Sequence, residues 1–138
     1  MGPGLAIKSL MQNKFSLMVF GWSQIVIDIQ PLLVILSGRG TVHGFTHTYL
    51  GATLIALFCA FSGKYLGEIG LKIIRKKEYL PISWKVAFIS AFIGTYSHVL
   101  LDSVMHYDVI PFSPFWKSNI LFSIVSVNTL TIFCLVTG

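Results

Sequence analysis

All four histidines of this chain fall in two short stretches. The first is His43-Gly44-Phe45-Thr46-His47. The second is Ser97-His98-Val99-Leu100-Leu101-Asp102, with His106 just beyond. Each stretch pairs metal-capable side chains four residues apart, and on a helix that spacing shares one face. Neutral imidazole beside carboxylate suits zinc or another first-row divalent ion, whereas calcium takes mainly oxygen ligands. The metal candidates are therefore His43, His47, His98, Asp102 and Asp28. Zinc is the first expectation for the ion, with manganese or magnesium as alternatives. His47, His98 and Asp102 form the core of the set. His43 and Asp28 either complete one centre or help to build a second. Asp28 and Asp102 are also the catalytic candidates, each as ligand or as general base toward a metal-activated water.

Each of these residues has a plainer reading. His43 reads equally as an interfacial loop histidine. Asp102 would pin His98 or cap a helix end, and Asp28 would pair with Arg39 or sit protonated in a bundle. His106 continues the stripe only if its helix runs one more turn, and Asp108 reads as a loop residue. Thr46 and Ser97 are expected as hydrogen-bond partners of the histidines beside them. Ser97 is not expected as a nucleophile, because His98 points off a different helix face.

The elements that must position these groups are membrane helices. Of 138 residues, 54% are hydrophobic and only 11% charged, with mean hydropathy +0.78. Soluble domains carry roughly a quarter charged residues, so the chain reads as an integral membrane protein. Its net charge of +5 is a topology signal. The bases flank apolar spans, which argues against nucleic acid as a partner and for membrane lipids. Cys59 and Cys134 lie inside apolar runs and read as small buried hydrophobes. Residues 1–14 lack the short apolar core of a signal peptide, so the first span is expected to stay in the protein. Spans are expected at about 15–37, 48–67, 82–104 and 120–138, each near the roughly 20 residues a bilayer core requires. The expected fold is all-α, a single domain over 1–138: a bundle of about four transmembrane helices with both termini cytoplasmic. Asp28 interrupts the first span, and Pro31 favours a kink beside it. Gly51, Ala52, Ala56, Ala60 and Gly63 give the second span a face that another helix can approach closely. Residues 68–81 read as a basic cytoplasmic loop, and the aromatic, proline-rich 106–119 as an interfacial loop that either belts the membrane or shelters a substrate.

Charge then assigns sides. Eight bases (Lys8, Lys14, Lys64, Lys72, Arg75, Lys76, Lys77, Lys85) fall on the side of the N-terminus and the 68–81 loop. Two, Arg39 and Lys117, fall on the other. The positive-inside rule sets the first side in the cytoplasm. Both histidine stretches then lie in the extracytoplasmic half, at the outer start of the second span and the outer end of the third. Asp28, past the middle of an outward-running first span, points to the same half.

At Gly44-Phe45-Thr46-His47, at Ser97-His98 with Asp102, and at Ile27-Asp28-Ile29, the sequence resembles the YdjM-like family of membrane-bound metal-dependent hydrolases. The resemblance runs from about Asp28 to Pro114. It implies a small multi-span protein of the cell inner membrane with a His/Asp metal site. His47 matches the histidine that closes the family's H-R-G-x-T-H run, His98 and Asp102 match its S-H-x3-D pair, and Asp28 matches one aspartate of its acidic pair. Three positions depart from the pattern: Val42 replaces the run's first histidine, His43 stands where the run has arginine, and Gln30 stands where a second acid is common. The expected function is hydrolysis of an ester or phosphoester, with a lipid-like substrate suggested by the depth of the site. The alternative is a protein that binds or transports a divalent metal. A transporter would need polar groups continuing to the inner half, and there the spans offer Gln24 and Asn128 and little more. A third reading, a subunit whose basic loop docks a cytoplasmic partner, leaves the clustered histidines unexplained.

Overall fold

The computed structural model describes residues 3–137, and every regular element among them is helical. The helices are α1 (Gly4–Met11), α2 (Leu17–Ile27), α3 (Ile29–Ser37), α4 (Tyr49–Ile73), α5 (Trp84–Met105) and α6 (Val127–Thr137). Hydroxyl side chains mark where the three central helices begin. Ser16 accepts from the Val19 N–H, Thr48 from that of Gly51 and Ser83 from that of Val86, each satisfying a donor the helix leaves free. α3 ends at Gly38, whose φ of 66° is a left-handed conformation that glycine adopts without strain.

Three segments are long and apolar enough to cross a membrane: Leu17–Ser37, Tyr49–Ile73 and Trp84–Met105. The second runs further than the expected 48–67. Glu68 pairs with Lys64 one turn back and accepts from the Ile82 N–H at 3.1 Å, so the first polar residues beyond the span stay helical. The fourth apolar stretch differs more. Only Val127–Thr137 is helical, 11 residues or about 16 Å, short of a bilayer core. Residues 120–126 are turns and bends, fastened at one end to α5 and at the other to the start of α6. The Ser123 N–H donates to the Val104 carbonyl at 3.1 Å, and Ser126 Oγ accepts from the Thr129 N–H at 3.2 Å. The expected four crossing helices are thus three and a shorter one. Of the chain ends, residues 1, 2 and 138 lie outside the described residues.

α2, α4 and α5 pack on one another around small side chains. Val19, Ala56, Cys59, Ala60, Ala87 and Ala91 are buried together, and the expected small face of α4 is wholly buried. Close approach is required at Gly94 on α5, where an added Cβ would fall 2.0 Å from Ser23 Oγ and 3.3 Å from the Phe20 carbonyl oxygen. With no hydrophobic drive between helices in a bilayer, such contact packing helps to hold them. α3, by contrast, buries none of its residues in the bundle.

Candidate metal centre

The first span breaks where its carboxylate stands. Asp28 ends α2 and precedes α3, and Pro31 has no N–H to return to the Ile27 carbonyl. The break leaves the Asp28 side chain 54% exposed.

His47 reaches the same place from a single helical turn, Phe45–His47, that leads into α4. Gln30 holds that turn: its Oε1 accepts from the Thr46 N–H at 3.1 Å. Gly44 is needed there, since a Cβ would collide with Gln30 Nε2. His47 itself is fully buried. α5 contributes His98 and Asp102 one turn apart on one face.

These four side chains converge. His98 Nε2 lies 3.1 Å from Asp28 Oδ1 and 3.3 Å from Asp102 Oδ2. His47 Nε2 lies 3.1 Å from Asp102 Oδ2 and 3.8 Å from Asp28 Oδ1. One ligand atom each from Asp28, His47 and His98 fall within 4.8 Å of one another. Asp102 is mostly covered, with its side chain 20% exposed. His47 Nε2 is buried and makes no hydrogen bond, although two carboxylates lie within ion-pair reach. A buried nitrogen without a partner is costly. An atom coordinated between the two carboxylates and the two imidazoles would satisfy it, so the donor set fits a divalent ion.

The far side of each ring is also held. His98 Nδ1 lies 3.0 Å from Gln24 Oε1, while Gln24 Nε2 donates to the Gly94 carbonyl at 2.8 Å. The Gly94 carbonyl fixes which end of the Gln24 amide is oxygen. That oxygen only accepts, so Nδ1 of His98 carries a proton, and Nε2 is the ring nitrogen that faces the cluster. Thr46 Oγ1 lies 3.0 Å from His47 Nδ1 and steadies that ring.

The structure thus gathers Asp28, His47, His98 and Asp102, and sets His43 apart from them. His43 Nδ1 lies 2.8 Å from Asp108 Oδ2, and its ring stacks on His106 at 4.5 Å between centroids. Burial disfavours the charged Asp108, but the His43 hydrogen bond and charge outweigh it and hold the carboxyl below its usual range. α5 stops at Met105, and His106 is its capping residue, with its N–H still donating to the Asp102 carbonyl at 2.8 Å. Asp28 faces the two histidines rather than Arg39. Ser97 Oγ donates to its own helix, at the Gly94 carbonyl, and does not serve His98. Gln24, not among the metal or catalytic candidates from sequence, supports His98. Its signal was available: Gln24 and Asp28 are four residues apart and share a face of the first span. Gln30 holds the His47 turn, a role that no spacing announced.

A family described as YdjM inner membrane protein has a model that matches residues 6–138. No curated protein matches the chain. No solved structure matches it.

Proposed function

The chain belongs to the YdjM inner membrane protein family, and on that premise we propose that it is a membrane-embedded, metal-dependent hydrolase acting on an ester or phosphoester. The observation that carries this reading is the buried, unpartnered Nε2 of His47, facing two carboxylates and a second imidazole. A divalent ion held there, zinc first by its nitrogen and carboxylate donors, would supply Lewis acidity and bring the pKa of a water down toward neutrality.

The chain's own groups divide the remaining work. Gln24 keeps the proton on His98 Nδ1, and Thr46 orients His47. Asp102, the more covered carboxylate, sits against both histidines and serves as ligand. Asp28 opens outward from the break in the first span, so it is the carboxylate a substrate meets and the group positioned to take a proton from the attacking water. Ile29 and Leu32, close to Asp28 in sequence, and Phe45, close to His47, are exposed and apolar, which supports a lipid-like substrate entering from the bilayer. The excess of bases on the opposite side of the three crossing segments supports a site facing the extracytoplasmic side.

The test uses the full chain in detergent. Bound metal is quantified, then hydrolysis of a panel of phospholipids and lipid-linked phosphates is compared for wild type and His98→Ala. The expected result is metal-dependent turnover in wild type and loss of both metal and turnover in the variant. A folded wild type without metal affinity, or a variant with unaltered turnover, would refute the reading. Zinc flux in proteoliposomes without hydrolysis would favour the transport alternative instead.

A further inference from the structure

Four imidazoles form one row along the polar end of the bundle. His98 meets His47 edge-on at 5.3 Å, His47 meets His43 edge-on at 5.2 Å, and His43 stacks on His106 at 4.5 Å between ring centroids. α5 supplies one end of that row, and its capping residue, His106, the other. His98, Asp102 and His106 follow one another at intervals of four residues. The first two enter the cluster described above, and the third lies beyond it.

The far half of the row has a carboxylate of its own. One ligand atom each from His43, His106 and Asp108 lie within 4.8 Å of one another. We propose that His43, His106 and Asp108 form a second divalent-cation site, separate from the Asp28/His47/His98/Asp102 cluster and beside it. Two nitrogens and one carboxylate oxygen are a donor set for zinc or a neighbouring first-row ion, with further positions left for water or substrate oxygen.

Two features distinguish this group from a surface ion pair. The first is the third donor. A His43–Asp108 pair alone, with the Asp108 side chain 41% exposed, would contribute little and has no need of His106. The second is the scaffold, which holds the segment 106–111 from three directions. Val109 is fully buried. The His106 carbonyl accepts from Asn119 Nδ2 at 2.9 Å. The Pro111 carbonyl accepts from the Tyr49 N–H at 2.8 Å, two residues beyond His47. The segment that presents His106 and Asp108 is therefore fastened to the same helix start that presents His47, and the two halves keep a fixed relation. Ligands held by packing and hydrogen bonds lose little freedom on binding.

Metal stoichiometry separates this proposal from the reading of the first cluster. The full-length protein in detergent is stripped with chelator, reloaded with zinc alone, desalted and assayed for zinc per chain. Wild type, Asp108→Asn, His43→Gln and His98→Ala are compared, with thermal unfolding as the check on folding. The expected content is about two ions per chain in wild type and about one in each variant, with the double variant Asp108→Asn/His98→Ala close to none. Zinc competition should show the remaining ion of Asp108→Asn bound as tightly as in wild type. A wild type holding a single ion that His98→Ala loses and Asp108→Asn keeps would overturn the second site and leave the first. A single ion lost in Asp108→Asn and kept in His98→Ala would support the second site and overturn the first. A single ion lost in both variants would make one shared centre and overturn the proposal. Because Asp108→Asn is isosteric and exposed, a folded variant is expected, and His43→Gln repeats the test from the other partner.

Discussion

Replacing Gly94 by alanine tests how helix packing reaches the metal ligands. The new Cβ would lie 2.0 Å from Ser23 Oγ, about 1.4 Å inside ordinary van der Waals contact, with Ser23 Cβ and the Phe20 carbonyl oxygen both at 3.3 Å. Ser23 is fully buried, and turning its Oγ away would break its hydrogen bond to Phe20, 2.7 Å long, so the hydroxyl resists moving. α2 and α5 must then separate by the order of an ångström. Overpacking of this kind costs about 1–3 kcal/mol. The same displacement stretches two bonds of Gln24, 2.8 Å to the Gly94 carbonyl and 3.0 Å to His98 Nδ1, past hydrogen-bonding range. Loss of a group that orients a ligating histidine weakens metal affinity by roughly 10–100-fold. Thermal unfolding in detergent and zinc competition read the two effects separately. Gln24→Leu should reproduce the affinity loss without the clash. Ser23→Ala combined with Gly94→Ala should recover most of both, since the closest atom is then gone. Unchanged zinc affinity in Gly94→Ala, or no recovery in the double variant, would refute the coupling from Gly94 through Gln24 to His98.

Asp28→Asn should reduce turnover by roughly 10²–10⁴-fold, the range for a positioned acid–base group, while the variant keeps its fold; steady-state hydrolysis and unfolding temperature check this. Chelation should lower the unfolding temperature, because the donors come from three different segments; a ligand at a thousandfold excess over its Kd stabilises by about 4 kcal/mol, readable in a melt with and without zinc. Gly44→Ala should drive the Gln30 amide off the Thr46 N–H, costing about 1 kcal/mol for that hydrogen bond, and should loosen the His47 turn enough to weaken zinc binding.

The crossing helices were legible because bilayer depth imposes a length on apolar runs, and the buried face of α4 because small residues recur along one side of it. His98 and Asp102 were legible as a pair because a helix brings residues four apart together. Their meeting with Asp28 and His47 followed from the order of the spans. The partner of His43 was not legible, since it depends on how residues 106–111 turn, and that turn is set by contacts with Val109, Asn119 and Tyr49. The contact of Gln24 with His98 was not legible for a similar reason. Its role rests on how closely α2 approaches α5, a distance that Gly94 and Ser23 fix and that no periodicity carries. The final apolar stretch carried enough hydropathy to suggest a span, but its first residues turn back on α5, where the Ser123 N–H meets the Val104 carbonyl, and the helix starts only at Val127 behind the Ser126 cap.

Pro31 has a further effect through the carbonyl it leaves behind. A continuous helix would satisfy the Ile27 carbonyl with the N–H of residue 31, and proline offers none. In hydrocarbon an unsatisfied backbone carbonyl costs several kcal/mol. Ile27 is fully buried, so the first crossing segment carries, at this one depth, a carbonyl that its own helix leaves without a donor, next to the most open carboxylate of the cluster. A break that reads as a packing irregularity thus adds a backbone oxygen to the groups that call for a polar partner at the level of the cluster.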